Sequence, residues 1–127
     1  MVTNAYCFIG YIENNTELYT YLQESGFILV FKSTYIRPDG RLKGNVDAEL
    51  VLWTMHEINN YNKAVIVTGD GDFACLVNYL NRRNKLCCLL VPNSKKYSAL
   101  LKKAAGQKIR IMDDLKNILR YKKTSTQ

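Results

Sequence analysis

Three stretches of this 127-residue chain, FILV (27–30), AVIV (64–67) and CCLLV (87–91), run through four or five apolar residues with no polar alternation. A strand with one face in water alternates polar and apolar side chains. A continuous apolar run suits a strand covered on both faces, as in parallel sheets whose crossover helices lie over them. Between the runs lie segments of helical period, so strands alternate with amphipathic helices. The expected fold is α/β, a three-layer α/β/α arrangement with a mostly parallel sheet of Rossmann-like type.

The order of elements follows from the same reading. Ala5 to Ile9 reads as a strand, and Asn14, Asn15 and Thr16 are candidate caps of a helix through Glu24. On that helix Leu18, Tyr21 and Leu22 share a face. Gly26 ends it, because glycine enters the left-handed region cheaply. Phe27 to Phe31 is a second strand, and Pro38-Asp39-Gly40 marks a turn within an irregular hairpin over 32–43. Helical period returns over Asp47 to Ile58. The strand Ala64 to Thr68 follows, then a helix presenting Phe73, Leu76, Val77 and Leu80, then the strand Leu86 to Val91. A helix from about Lys95 to Ala104 aligns Tyr97, Leu100, Leu101 and Ala104. Ile109 to Met112 is a last strand, and Leu115, Ile118 and Leu119 mark a terminal helix. One domain over 1–121 with a flexible basic tail at 122–127 is the expected organisation.

The longest apolar run, Leu86 to Val91, is far short of the roughly 18 residues of a membrane span. No signal peptide is evident, and four cysteines without a C-x-x-C pair read as small hydrophobes in a reduced, cytoplasmic setting. Lysine and arginine exceed aspartate and glutamate by 18 to 11, a balance that favours a polyanionic partner without naming it.

Chemistry concentrates in VIVTGDGDF (65–73), where Asp70 and Asp72 stand at the carboxyl end of a strand. In open α/β sheets ligands gather at that end. Gly69 and Gly71 let the chain bend there without β-carbon clashes. A helix cap, by Asp72 or less readily Asp70, accounts for one carboxylate. A divalent cation accounts for both. Asp47 in KGNVDAEL (43–50) is the third acid. Leu50, Val51, Thr54, Met55 and Ile58 continue its stripe, so Asp47 begins the inward face of its helix and needs a partner there. Lys43 and Asn45 precede it, groups suited to a phosphate or to orienting a carboxylate.

Carboxylate oxygens without histidine or cysteine beside them suit Mg²⁺ or Mn²⁺ rather than a closed zinc site. The single histidine, His56, reads as core edge or surface. The natural chemistry of such a cluster is metal-assisted phosphodiester hydrolysis. Arg82, Arg83, Lys85, Lys95, Lys96, Lys102, Lys103, Lys108, Arg110, Arg120, Lys122 and Lys123 are solvated faces or a ring that steers nucleic acid by its phosphates. Tyr19, Tyr35 and Tyr61 are candidate exposed stacking platforms, although no base-reading motif accompanies them and filler of core or surface is the more ordinary role of each. GDGD lacks the lysine of a Walker A loop, no EF-hand spacing begins at Asp70, and Ser94 and Ser98 have no triad. Phe73 after the second aspartate departs from the D-x-D-x-T order of a haloacid-type phosphatase.

Taken together and in this order, KGNVDAEL and VIVTGDGDF resemble the NYN domain of the PIN-like nuclease superfamily, which includes LabA-like bacterial proteins. The resemblance runs from Ala5 to about Leu119. It implies Mg²⁺- or Mn²⁺-dependent cleavage of RNA, with Asp47, Asp70 and Asp72 as catalytic and metal-binding acids. Thr68, Asn45 and Lys43 would support them. Family members normally open with a further central strand ending in an aspartate, whereas MVTNAYCFIG resembles the family's second strand. The expectation is therefore an N-terminally incomplete copy, with a homodimer or strand exchange compensating for the missing element. The alternative is an RNA-binding or protein-interaction module with a degenerate nuclease site.

Overall fold

The computed structural model of the chain describes residues 2–43 and 45–112, and of Leu42 and Lys43 the backbone only. Gly44, the expected terminal helix at Leu115, Ile118 and Leu119, the basic residues Arg120, Lys122 and Lys123, and the tail 122–127 lie outside the described residues. Two compact units divide the chain, Met1–His56 and Glu57–Gln127.

In the first unit, β1 (Ala5–Tyr11) and β2 (Phe27–Ser33) pair in parallel from Ala5 opposite Phe27 to Tyr11 opposite Ser33. Parallel strands need a crossover, and α1 (Thr16–Glu24) supplies it after one 3₁₀ turn at Glu13–Asn15. Asn15 occupies the cap position of α1 but gives no side-chain cap bond. Gly26 closes the helix at φ +103°, in the region expected of it. The residue α1 buries is Tyr19, with only 5% of its surface exposed, whereas Leu18 and Tyr21 stand 44% and 56% exposed. This corrects the expected Leu18–Tyr21–Leu22 face, and Tyr19 takes the core role rather than that of an exposed platform.

The reason is that Tyr19 closes the strand ends. Its hydroxyl accepts from Ile12 N at 2.8 Å and donates to Gly10 O at 3.2 Å, just where β1 runs out of ladder partners. Its ring lies 4.9 Å edge-on from Phe31 and 5.7 Å from Tyr11, a separation at which aromatic pairs attract. An aliphatic side chain fills the space but satisfies neither backbone group.

The turn at Pro38-Asp39-Gly40 joins β3 (Tyr35–Ile36) to β4 (Leu42–Lys43), which pair antiparallel as the expected hairpin. Asp39 Oδ1 accepts from Arg41 N at 3.0 Å and Gly40 takes φ +84°. Helix α2 (Asp47–His56) follows. Along it Asp47, Leu50, Val51, Thr54 and Met55 are half-buried and Leu52 is 66% exposed, so the stripe that begins with Asp47 is the less exposed one.

In the second unit, β5 (Ala64–Val67), β6 (Leu86–Val91) and β7 (Ile109–Ile111) form a parallel sheet in that order. Helix α3 (Ala74–Arg82) crosses from β5 to β6 and α4 (Ala99–Ala105) from β6 to β7. Leu76, Val77, Leu80, Leu101 and Ala105 of these helices are buried with Ile66, Leu86, Leu89 and Val91 of the strands. Ile66 is 7% exposed, but its neighbours Val65 and Val67 are 41% and 51% exposed, and Cys87 is exposed. Within this unit the helices pack together and onto the Ile66 and Leu89 face, so the strands alternate despite their apolar sequence. Helix α4 also begins later than its periodicity indicates. Asn93 draws the chain into a turn by accepting from Lys95 N, and Ser98 caps the helix by accepting from Leu100 N at 3.1 Å. Leu100 consequently stands 61% exposed instead of sharing the inward face of Leu101.

These elements reproduce the expected class, mixed α/β with mostly parallel pairing. Tyr19→Phe keeps the aromatic packing and leaves Ile12 N–H and Gly10 C=O without their shared partner. It is expected to lower stability by about 1–2 kcal/mol, read as a shifted urea midpoint.

Candidate metal centre

The acidic turn begins where β5 ends. Thr68 N still donates to Leu90 O of β6 at 3.0 Å, and the next residues leave the ladder. Thr68 Oγ1 accepts from Asp70 N at 3.1 Å, and Asp70 Oδ1 accepts from Asp72 N at 2.8 Å. Asp70, in extended conformation, thus caps the 3₁₀ turn Gly71–Phe73 that leads into α3. Of the two aspartates it is Asp70, not Asp72, that serves as cap. The cap engages one oxygen of Asp70. Both aspartates are exposed, and among the described residues the Asp72 carboxylate makes no hydrogen bond or ion pair. Capping therefore explains half of one carboxylate and none of the other.

The glycines of this turn serve space more than dihedral freedom, since neither takes a positive φ. A β-carbon on Gly71 would stand 2.5 Å from Ser98 Oγ and 2.8 Å from Ser98 Cβ, and one on Gly69 would stand 3.1 Å from Lys96 O. The 93–98 loop that follows β6 lies directly against the turn, and Ser98 N donates to Gly69 O at 3.3 Å.

Asp47 opens α2, half-buried, with its N–H donating to Asn45 Oδ1 at 2.7 Å. Its carboxylate has no hydrogen-bond or ion-pair partner among the described residues. One carboxylate oxygen of Asp70 and one of Asp72 lie within 4.8 Å of each other. These donors are hard anionic oxygens, the kind that binds divalent cations of the magnesium class. Bonds to such an ion are about 2.0–2.1 Å, and side-chain rotation closes a spread of this size. A cluster of this kind is capable of holding one divalent cation.

The remaining expected residues are placed as follows. The Lys43 side chain lies outside the described residues. His56 is exposed with its ring 6.2 Å from that of Trp53. Tyr35 is 59% exposed, whereas Tyr61 is half-buried beneath Lys85, whose Nζ stands 5.3 Å from the ring centre. Burial pushes the Cys7 and Cys88 thiols up, which leaves them poor nucleophiles at neutral pH. Cys75 and Cys87 are exposed, against the expectation of small core hydrophobes.

Periodicity did not reveal Glu49. Two residues after Asp47, it meets Lys32 of β2 at 3.0 Å, and the ammonium's hydrogen bond holds its carboxyl below the usual range. Its other oxygen is shielded from solvent with no hydrogen-bond partner among the described residues. The pair ties the first turn of α2, and so Asp47, to the β1–β2 sheet. No local signal joins residues 32 and 49; only the paired fold brings them together.

Residues 1–112 match the NYN domain family. The chain belongs to that family. A crystal structure of a protein of unknown function from Vibrio parahaemolyticus is similar to this NYN domain, with a TM-score of 0.72 and 24% identity over 89% of this chain and 70% of that one. At that identity the likeness shows the fold alone. No curated protein matches the chain.

Two outcomes check this geometry. Gly71→Ala forces a β-carbon into Ser98 and is expected to destabilise the domain by about 1–3 kcal/mol. Gly71→Ala combined with Ser98→Gly should recover part of that loss in thermal melts. Because Lys32 lowers the folded-state pKa of Glu49, the pair stabilises above the unfolded pKa and fades as pH falls through the folded one. Lys32→Met should therefore be less stable than the parent at about pH 7 and converge on it as pH falls through and below the ordinary carboxylate range, as measured by urea midpoints.

Proposed function

We propose that this NYN domain is a metal-dependent ribonuclease in which Asp47, Asp70 and Asp72 hold Mg²⁺ or Mn²⁺. The observation that carries the reading is the acidic turn at the carboxyl end of β5, where oxygens of Asp70 and Asp72 stand within 4.8 Å of each other with no basic group in ion-pair contact among the described residues. Asp47 is the third acid that the family motif supplies. The family membership and the net charge of +7 support an RNA substrate.

In this reading the bound cation supplies a Lewis acid and makes an attacking water more acidic. The chain's own residues do the positioning. Thr68 fixes the backbone of Asp70, which in turn fixes that of Asp72, so both carboxylates are pre-set before substrate arrives. Asn45 fixes the start of α2 and with it Asp47, and Lys43 precedes it as a candidate phosphate contact. Among the described residues no helix is long and apolar enough to cross a membrane. A cytoplasmic setting suits both an RNA substrate and the four free cysteines. Self-association or strand exchange is a further part of the reading, since among the described residues β5 has no ladder partner on its outer side. Sedimentation would report it.

Single-stranded RNA should be cut only with Mn²⁺ or Mg²⁺, and Asp70→Asn should lower the rate by at least about a hundredfold while the melting curve stays cooperative. A Mn²⁺-soaked crystal should place one ion among the three carboxylates. RNA binding that persists unchanged in chelator, with no cutting, would instead mark an RNA-binding module with a degenerate site.

A further inference from the structure

Parallel strands send their following loops to the same edge of the sheet. The loop after β6 (residues 92–98) therefore emerges beside the acidic turn after β5, and three contacts hold it there. Ser98 N donates to Gly69 O, Ser98 Oγ occupies the space a β-carbon on Gly71 would need, and Lys96 O faces Gly69. Asn93 shapes the near end, its side chain accepting from Lys95 N at 2.9 Å and its carbonyl from Lys96 N at 3.2 Å. The backbone is thus fixed at both ends, while the Lys95 and Lys96 side chains are exposed. Among the described residues neither ammonium has a carboxylate within 4.0 Å or a hydrogen-bond partner.

We propose that the 93–98 loop is a rail for the sugar–phosphate backbone of single-stranded RNA, gripped by Lys95 and Lys96 beside the acidic turn. The inference rests on the nuclease reading and adds the surface that delivers substrate to it. Two aspartates repel an approaching phosphate, and two ammoniums without a partner among the described residues, carried on the loop packed against their turn, offset that repulsion. The other lysines of this region have structural explanations. Lys102 and Lys103 lie in the last turn of α4, where cations favour the helix dipole. Lys85 Nζ donates to Tyr61 O, and Arg110 donates to Gln107 O and Ile109 O. Ammonium groups read charge and not bases, so the rail carries no sequence preference of its own.

The test uses the full chain with Asp70→Asn, which keeps RNA uncut, and a single-stranded RNA oligonucleotide. Binding is measured from about 50 to 200 mM salt. Each single-strand phosphate contact contributes about 0.7 to the slope of log K against log salt. Adding Lys95→Ala and Lys96→Ala should weaken binding several-fold and flatten the slope by about 1.4, while Lys102→Ala with Lys103→Ala leaves it unchanged. In the cutting-competent chain the Lys95/Lys96 change should raise KM and spare kcat. An unaltered slope for the Lys95/Lys96 variant, or an equal loss for the Lys102/Lys103 variant, overturns the rail. If Asp70→Asn still abolishes metal-dependent cutting in that case, the nuclease reading survives alone. A parent chain that binds no RNA at any salt removes both.

Discussion

The hydrogen bond from Thr68 N to Leu90 O decides where β5 stops, and everything acidic follows from that stop. One residue later the backbone is released from the ladder, and the Thr68 hydroxyl and the Asp70 carboxylate take over the donors that the sheet no longer satisfies. The turn is therefore not a loose loop bearing two aspartates. It is a relay of side-chain-to-backbone bonds that begins in the sheet and ends in α3. Moving the strand end by one residue would present the carboxylates to a different side, since successive residues of a strand face opposite ways.

Close packing around that turn imposes a second condition. The 93–98 loop approaches so nearly that Gly69 and Gly71 admit no β-carbon without displacing it. Residue size, more than backbone conformation, restricts these two positions. The same approach joins the carboxyl ends of β5 and β6 into one surface, which carries both exposed carboxylates and exposed ammoniums. Such a surface suits a substrate that is itself anionic yet must reach a cluster of acids, provided a cation is bound there.

The first unit shows how little of a fold's internal bonding local pattern reveals. Tyr19 reads as one polar-tipped aromatic among nine tyrosines, yet its hydroxyl satisfies two backbone groups at the end of β1. Glu49 reads as an ordinary first-turn acid of α2, yet Lys32 of β2 pairs with it and lowers its pKa. Both depend on contacts that no periodicity encodes. The half-buried stripe from Asp47 through Met55 was legible, because helical geometry alone puts those positions on one side.

By itself the sequence determined the element types and their order, the parallel pairing, the turn at Gly26 and the two acidic blocks, because these rest on short-range propensities and spacing. Only the tertiary structure decided which face of β5 is covered, where α4 begins, which aspartate caps and what Gly71 makes room for. Those outcomes depend on which helix packs against which strand and how near two loops approach. Contacts between residues distant in the chain set both, and a string of residues read along its length does not contain them.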